Sequence, residues 1–183
     1  MARKSFEAMT TGQADVCFLA IDPARAAGVA FTAPYVVIEG VFAVPEDSAI
    51  TQTVDVDRDG VRIGVKNGSA YDLFLSRTLQ HASVVRGDEG VDVFLAERLE
   101  VAAGIRQPMT EFVDTHHGFR LIEGQFMEIR QAMGTTWTRT PETVEFLRAF
   151  LEEAKAGGFV ADALRRANRA DAAVAHPVSR RGQ

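Results

Sequence analysis

The chain has 183 residues, 46% of them hydrophobic and 25% charged, which gives room for one large domain or two small lobes of ordinary soluble composition. Its net charge of −5 is spread along the sequence, which excludes the concentrated basic patch that grips nucleic acid; the Arg180–Arg181 pair is too short to form one. The single cysteine, Cys17, excludes an internal disulfide and a multi-cysteine metal site, and no apolar run approaches the roughly 18 residues of a membrane span.

The first ten residues carry two basic side chains with no hydrophobic segment behind them, so no secretory signal is expected within this numbering. Residues 4–11 read as the end of an amphipathic helix, with Phe6 and Met9 on one side and Gly12 as a stop. Asp15 to Ile21 is a continuous apolar run suited to a buried strand, with Cys17 as a small hydrophobe inside it. Asp22 is a helix cap, Pro23 suits a first helical turn, and Arg25 follows at once. Phe31 to Tyr35 reads as a turn or short extended piece, and Val36 to Val44 as a long strand ending at Pro45. Glu46 to Asp59 is polar and loop-like, apart from a short Thr-Val-Asp-Val segment.

Further on, Val61 to Val65 alternates as a strand, Lys66-Asn67-Gly68-Ser69 is a tight turn, and Ala70 to Leu79 has helical spacing. Val84–Val85 and Val91–Leu95 read as strands, the second leading into a helical stretch over 97–103. Phe119 to Ile122 and Phe126 to Met133 read as strands. Thr140-Pro141-Glu142 opens a strong helix with Val144, Leu147, Leu151 and Ala154 as its apolar stripe. Gly157–Gly158 ends it, and 159–167 is a second amphipathic helix. The tail after Asn168 is small and polar, and reads as loose. Strands alternating with helices predict a mainly parallel α/β architecture. The stretch 46–130 has its own strand–helix units, and 1–45 with 131–183 would form another lobe, with strands 36–44 and 126–133 as the crossings.

Two strand-to-helix turns carry the chemistry. Each offers free backbone N–H groups at a helix start, where unpaired donors and the helix dipole favour anions. At the first, Arg25 adds a planar fork for a carboxylate, although it also reads as a surface ion pair or helix-face charge. At the second, Ser69 adds a hydroxyl and Gly68 allows close approach, although an ordinary turn with an N-cap has the same residues. Glu97, placed just beyond the expected strand 91–95, sits where open α/β sheets present ligands and would hold an ammonium; it also reads as a first-turn helix acid. Adjacent His116 and His117 point apart if extended and have no acid or cysteine cluster at metal-ligand spacing, so they read as a solvated loop. His81 and His176 have no evident partners, and Trp137 reads as packing against the C-terminal helix. No nucleophile elbow, phosphate loop or catalytic pair is evident, so neither a catalytic site nor a cofactor is expected.

The stretch DVCFLAIDPARAAGVAFTAPY over 15–35 resembles the signature of family 3 extracellular solute-binding proteins, the polar amino-acid receptors of ABC importers. GVRIGVKNGSAYDLFL, GVDVFLAE and the C-terminal MGTTWTRTPETVEFLRAFLEEAKAGGFVADAL are similar to that family's second-lobe turn, its Gly-x-x-Asp-Ala strand and its paired last helices. The resemblance covers nearly the whole chain. It implies a periplasmic-binding-protein-like type II fold of two α/β lobes with mainly parallel sheets, the first lobe lacking its initial strands. It also implies a periplasmic component that binds an amino acid or other small carboxylate in the inter-lobe cleft and docks on membrane permease subunits. Carried over by position, Arg25 would bind the ligand carboxylate, helped by Gly68, Ser69 and the N–H of Ala70. Glu97 and the backbone oxygen of Phe18 would face its ammonium, Lys66 would reach its side chain, and Ala20 also belongs to the implied ligand-binding set.

This sequence departs from the family at Cys17, Phe18 and Ala20, where hydroxyls are usual, and at Glu97, where Asp is usual. The leading segment of family members has no counterpart, which leaves exposed sheet edges and implies self-association. Two other functions fit the same fold: a sensor or degenerate binding domain, and a dehydratase-like enzyme with Glu97 as its acid/base.

Overall fold

The structure is a computed structural model that describes residues 2–169 and 171–176; the Arg180–Arg181 pair lies outside them. The chain divides into two compact units, residues 1–38 with 130–183 and residues 39–129.

In the first unit, helix α1 (Ala2–Thr10) ends at Gly12, whose φ of 74° breaks the helix. Its Met9 is fully buried against Cys17 and Leu19 of β1 (Cys17–Ala20) and against Val29. β1 pairs antiparallel with β7 (Met127–Thr136), Cys17 opposite Gly134 and Ala20 opposite Gln131. β7 lies beside β2 (Val29–Pro45), and β2 also carries β8 (Ala173–Val174) antiparallel at Val36–Val37. Helix α2 (Pro23–Ala26) follows β1, and α6 (Pro141–Ala156) and α7 (Phe159–Arg166) close the unit. Thr140 caps α6 by accepting from Thr143 N, and Gly157 ends it, as the sequence predicts.

The segment 31–35 is not a turn. It is continuous with β2, because Pro34 sits where its missing N–H is not needed: its carbonyl accepts from Lys155 Nζ at 3.1 Å, and Tyr35 O accepts from Ala175 N at 3.0 Å. The tail is not loose as far as residue 176. β8 and the buried Ala175 dock on β2, and Lys155, 7% exposed, ties down the His176 carbonyl at 3.4 Å. Trp137 is largely exposed at 59%, and its Nε1 donates to Ala26 O at 3.0 Å.

In the second unit, β3 (Arg62–Lys66), α3 (Ala70–Thr78), β4 (Ser83–Gly87), α4 (Gly90–Ala96) and β5 (Val101–Ile105) follow in order, then α5 (Arg106–Thr115) and β6 (Phe119–Leu121). β3 pairs parallel with both β4 and β5, while β5 and β6 pair antiparallel with β2. Among the described pairings, parallel ones are thus confined to β3, β4 and β5, the strands joined by the crossover helices α3 and α4. The Thr-Val-Asp-Val segment is a 3₁₀ turn over Thr53–Asp55.

Two elements exchange the roles read from the sequence. The run 91–95 is helical (α4), and the strand follows at 101–105. Burial at Gly90 and Phe94 with Asp92 and Leu95 exposed follows a helical period. Gly64 and Gly90 let this helix touch the sheet: a Cβ on Gly64 would lie 2.7 Å from the Gly90 carbonyl, and one on Gly90 would lie 3.0 Å from the Ala103 carbonyl. The Ala and Gly of β5, which look helical in isolation, are the small residues of a central strand buried on both faces. The core gathers Val41, Ala43, Phe94, Leu99, Ala102, Met109 and Phe112.

Candidate functional site

In the first unit, β1 delivers the chain into the 20–25 turn. Asp22, 4% exposed, caps α2 by accepting from Ala24 N at 2.9 Å, and Pro23 opens the helix. This places Arg25 inward: it is 4% exposed, and its Nη1 donates to Ala20 O at 3.1 Å. Burial lowers the guanidinium pKa and the nearby Asp22 charge raises it, so Arg25 is a buried, paired cation rather than a surface one. The Ala20 carbonyl is therefore occupied by Arg25. Phe18 lies mid-strand opposite Met133 with its ring 60% exposed, edge-on to Tyr35 at 6.0 Å. Burial pushes the Tyr35 hydroxyl pKa up. This aromatic pair beside the turn was missed in the sequence, where Phe18 registers as a lost hydroxyl and a backbone oxygen but not as a ring. Cys17 is buried as expected, and burial raises its thiol pKa.

In the second unit, β3 ends at Lys66 and the chain turns through Gly68, whose φ of 69° suits glycine. Ser69 is the N-cap of α3, accepting from Asp72 N at 3.0 Å, while the Asp72 carboxylate accepts from Gly68 N at 2.8 Å. The Ser69 half matches a capping box, but the Asp72 carboxylate takes the N–H of Gly68, one residue before the cap, instead of that of Ser69. Ser69 N donates to Lys66 O at 3.1 Å, so the donors left at this helix start are the N–H groups of Ala70 and Tyr71. Asp72 itself is 3% exposed and held by Arg86 Nε at 3.0 and 3.2 Å. The spacing Ser69-x-x-Asp72 was the available sequence signal for this network; the Arg86 partner had none.

Lys66 forms an ion pair with Glu89, which opens α4, and Arg106 forms one with Glu39 while donating to Gly124 O at 2.8 Å. Because β3 and β5 are parallel, with Ile63 opposite Val101, the Ser69 turn and Arg106 lie at the same, C-terminal edge of these strands. Ligands of open α/β sheets bind at such an edge.

Glu97 is not at that edge. It is the C-cap of α4, not the end of a strand, and its charge acts on Arg62, the first residue of β3. Arg62 also grips Glu100, holding that carboxyl below the usual range through the hydrogen bond. The length of β3 separates the two ends by about 13 Å at the usual rise per strand residue, so Glu97 and Ser69 do not converge.

His116 ends α5, its Nδ1 3.1 Å from Phe112 O, and His81 lies 3.7 Å from Asp59. A cavity of about 590 Å³ lies elsewhere in the first unit, lined by Thr10, Thr11, Thr136, Trp137 and Arg139 among others; none of the residues expected to bind the ligand lines it.

No protein-family model and no curated protein matches the chain. Solved structures do. A binding component of an ABC transporter from Wolinella succinogenes, complexed with lysine, matches at 16% identity over 88% of this chain and 72% of its own, with a TM-score of 0.72. The cysteine-binding protein of Campylobacter jejuni matches at 18% identity over 97% of this chain and 72% of its own, with a TM-score of 0.73. An ancestral amino acid-binding protein, a precursor of cyclohexadienyl dehydratase, matches at 16% identity over 91% and 74%, with a TM-score of 0.72. At these identities the likeness is one of fold, and the chain has the α/β periplasmic-binding-protein-like type II fold of these structures.

Proposed function

We propose that this chain binds a small carboxylate-bearing solute, an amino acid in the first instance, as the periplasmic solute-binding component of an ABC importer, working with permease subunits of the membrane. The observation that carries this reading is the buried Arg25 guanidinium at a strand-to-helix turn of the first unit. A cation kept dry but charged is suited to a bidentate carboxylate contact. The Gly68-Ser69-Ala70 turn supports it, with a hydroxyl and open N–H groups at the start of α3. The solved structures of like fold include proteins described as amino-acid-binding and one complexed with lysine.

Of the residues singled out in the sequence, the proposal retains Phe18, Ala20, Arg25, Lys66, Gly68, Ser69 and Ala70, with Phe18 contributing its exposed ring. It leaves out Glu97, whose place at the other end of β3 suits neither an ammonium contact nor proton transfer at that turn. That placement also favours binding over the dehydratase-like reading. Self-association through exposed strand edges belongs to the same proposal.

The test is a thermal-shift panel of the twenty amino acids and simple dicarboxylates on the whole chain, followed by calorimetry. A ligand near micromolar affinity at a hundredfold excess over its Kd raises stability by about 2.7 kcal/mol, a shift of several degrees. No shift with any carboxylate in a folded sample would sink the proposal.

A further inference from the structure

We infer that Arg86 is a positioning residue for the Gly68-Ser69-Ala70 turn, acting through Asp72 to keep that turn receptive to a carboxylate; the inference rests on the solute-binding proposal above. Asp72 is the third residue of α3, at the positive end of the helix dipole. Its carboxylate already occupies Gly68 N–H, so it is an internal anion beside the donors that an external anion would use. Uncompensated, it would repel that anion at close range in a poorly solvated place.

Arg86 supplies the compensation. It reaches from β4 with its side chain 45% exposed to a carboxylate whose side chain is 4% exposed. Its Nε bridges both Asp72 oxygens at 3.0 and 3.2 Å, and its Nη2 donates to Ser76 Oγ at 2.6 Å. Ser76 Oγ in turn donates to Asp72 Oδ1 at 3.1 Å. The carboxylate is thus neutralised and fixed in orientation. Its backbone N–H stays on Ser69 Oγ, while the Ser69 side chain is also hydrogen-bonded to the buried Tyr71 hydroxyl, so the groups left for an external anion are the Ala70 and Tyr71 N–H groups.

Arg86 touches no ligand in this arrangement; it sets the local charge and the geometry of groups that do. Two effects separate these roles. Removing Arg86 alone exposes the Asp72 charge, while removing the charge of Asp72 as well makes Arg86 unnecessary, because an amide oxygen still accepts from Gly68 N–H.

The experiment titrates the whole chain with sodium formate, and with formamide as the uncharged control, following the backbone amide shifts of Ala70 and Tyr71 by NMR. The wild type should show saturable shifts with formate and none with formamide. Arg86→Ala and Arg86→Gln should both weaken the formate response roughly five- to tenfold, the loss of one nearby compensating charge. Arg86→Ala combined with Asp72→Asn should return to within about twofold of wild type, since the repelling charge is gone. The inference is overturned if the single variants match wild type, if the double variant stays as weak as Arg86→Ala, or if these amides do not respond to formate in the wild type. The thermal-shift panel reports separately on solute binding: an amino acid that stabilises a formate-silent protein leaves that proposal standing and removes this role for Arg86.

Discussion

The Arg25 guanidinium folds back on the strand that delivers it, donating through Nη1 to the carbonyl oxygen of Ala20 at 3.1 Å. The turn is therefore built around the cation, and removing the cation affects more than a ligand. Arg25→Ala should cost about 2–4 kcal/mol of stability, because Asp22 and the Ala20 carbonyl lose a buried partner. It should also lower ligand affinity at least tenfold. Arg25→Lys should recover part of the stability and little of the affinity, since an ammonium lacks the fork. Urea unfolding and calorimetry, run on the same samples, separate the two losses.

The Ser69 hydroxyl has a structural task that a mutation will reveal. Ser69→Ala removes the acceptor for Asp72 N and should cost about 1 kcal/mol, whereas Ser69→Thr should stay close to wild type. Gly68→Ala places a side chain at a φ of 69° and should cost about 1–2 kcal/mol. Denaturant midpoints at constant slope are the measurement.

Glu97 provides the opposite expectation. Placed at the end of α4 near Arg62, it should tolerate Glu97→Gln with a stability change within about 0.5 kcal/mol. Ligand affinity should change less than twofold by calorimetry. A large loss of affinity would return Glu97 to the site and contradict the placement at the far end of β3.

Acid should reach Asp57 late. Its carboxylate accepts from the backbone N–H groups of His81 at 2.8 Å, Ala82 at 2.9 Å and Gln80 at 3.0 Å, and these bonds, Ala82 first, hold its pKa below the usual value. The folded pKa is depressed, so the stabilisation is fully present above the unfolded value of about 3.9 and is lost as pH falls below it through the folded value. Asp57→Asn should therefore be less stable than wild type by a constant margin from pH 7 down to about 5. That margin should shrink below about pH 4. Thermal midpoints across this range decide it; a margin that does not change with pH would show that the charge has no part.

Local signals in the sequence were reliable wherever a terminus or cap carried them. Gly12, Asp22-Pro23, Ser69, Thr140-Pro141 and Gly157 all punctuate the chain where they were expected to. The swap around 91–105 shows where such signals stop. Val91 to Leu95 is rich in residues that favour strands, yet it is a helix because Gly64 and Gly90 let it lie on the sheet. The Ala-rich stretch after it is a strand because it fills a gap between β2 and β3. Both outcomes depend on neighbours distant in sequence. The same swap misplaced Glu97, whose proposed role followed from the strand assigned before it. Arg25 and Ser69 were legible because strand, cap and charge stand side by side in the chain. The Arg86 contact with Asp72 was not, because it joins residues brought together only by the pairing of β3 with β4.

The short strand β8 has a further meaning for the exposed edge of β2. At Val36–Val37 it covers an edge of β2 that would otherwise offer unpaired backbone groups and apolar side chains to any extended segment. The Lys155 ammonium, bonded to both Pro34 O and His176 O, fastens that cover. Residues 173–176 thus act as a protective hem, and cutting the chain after Asn168 would convert a shielded strand into a template for aggregation.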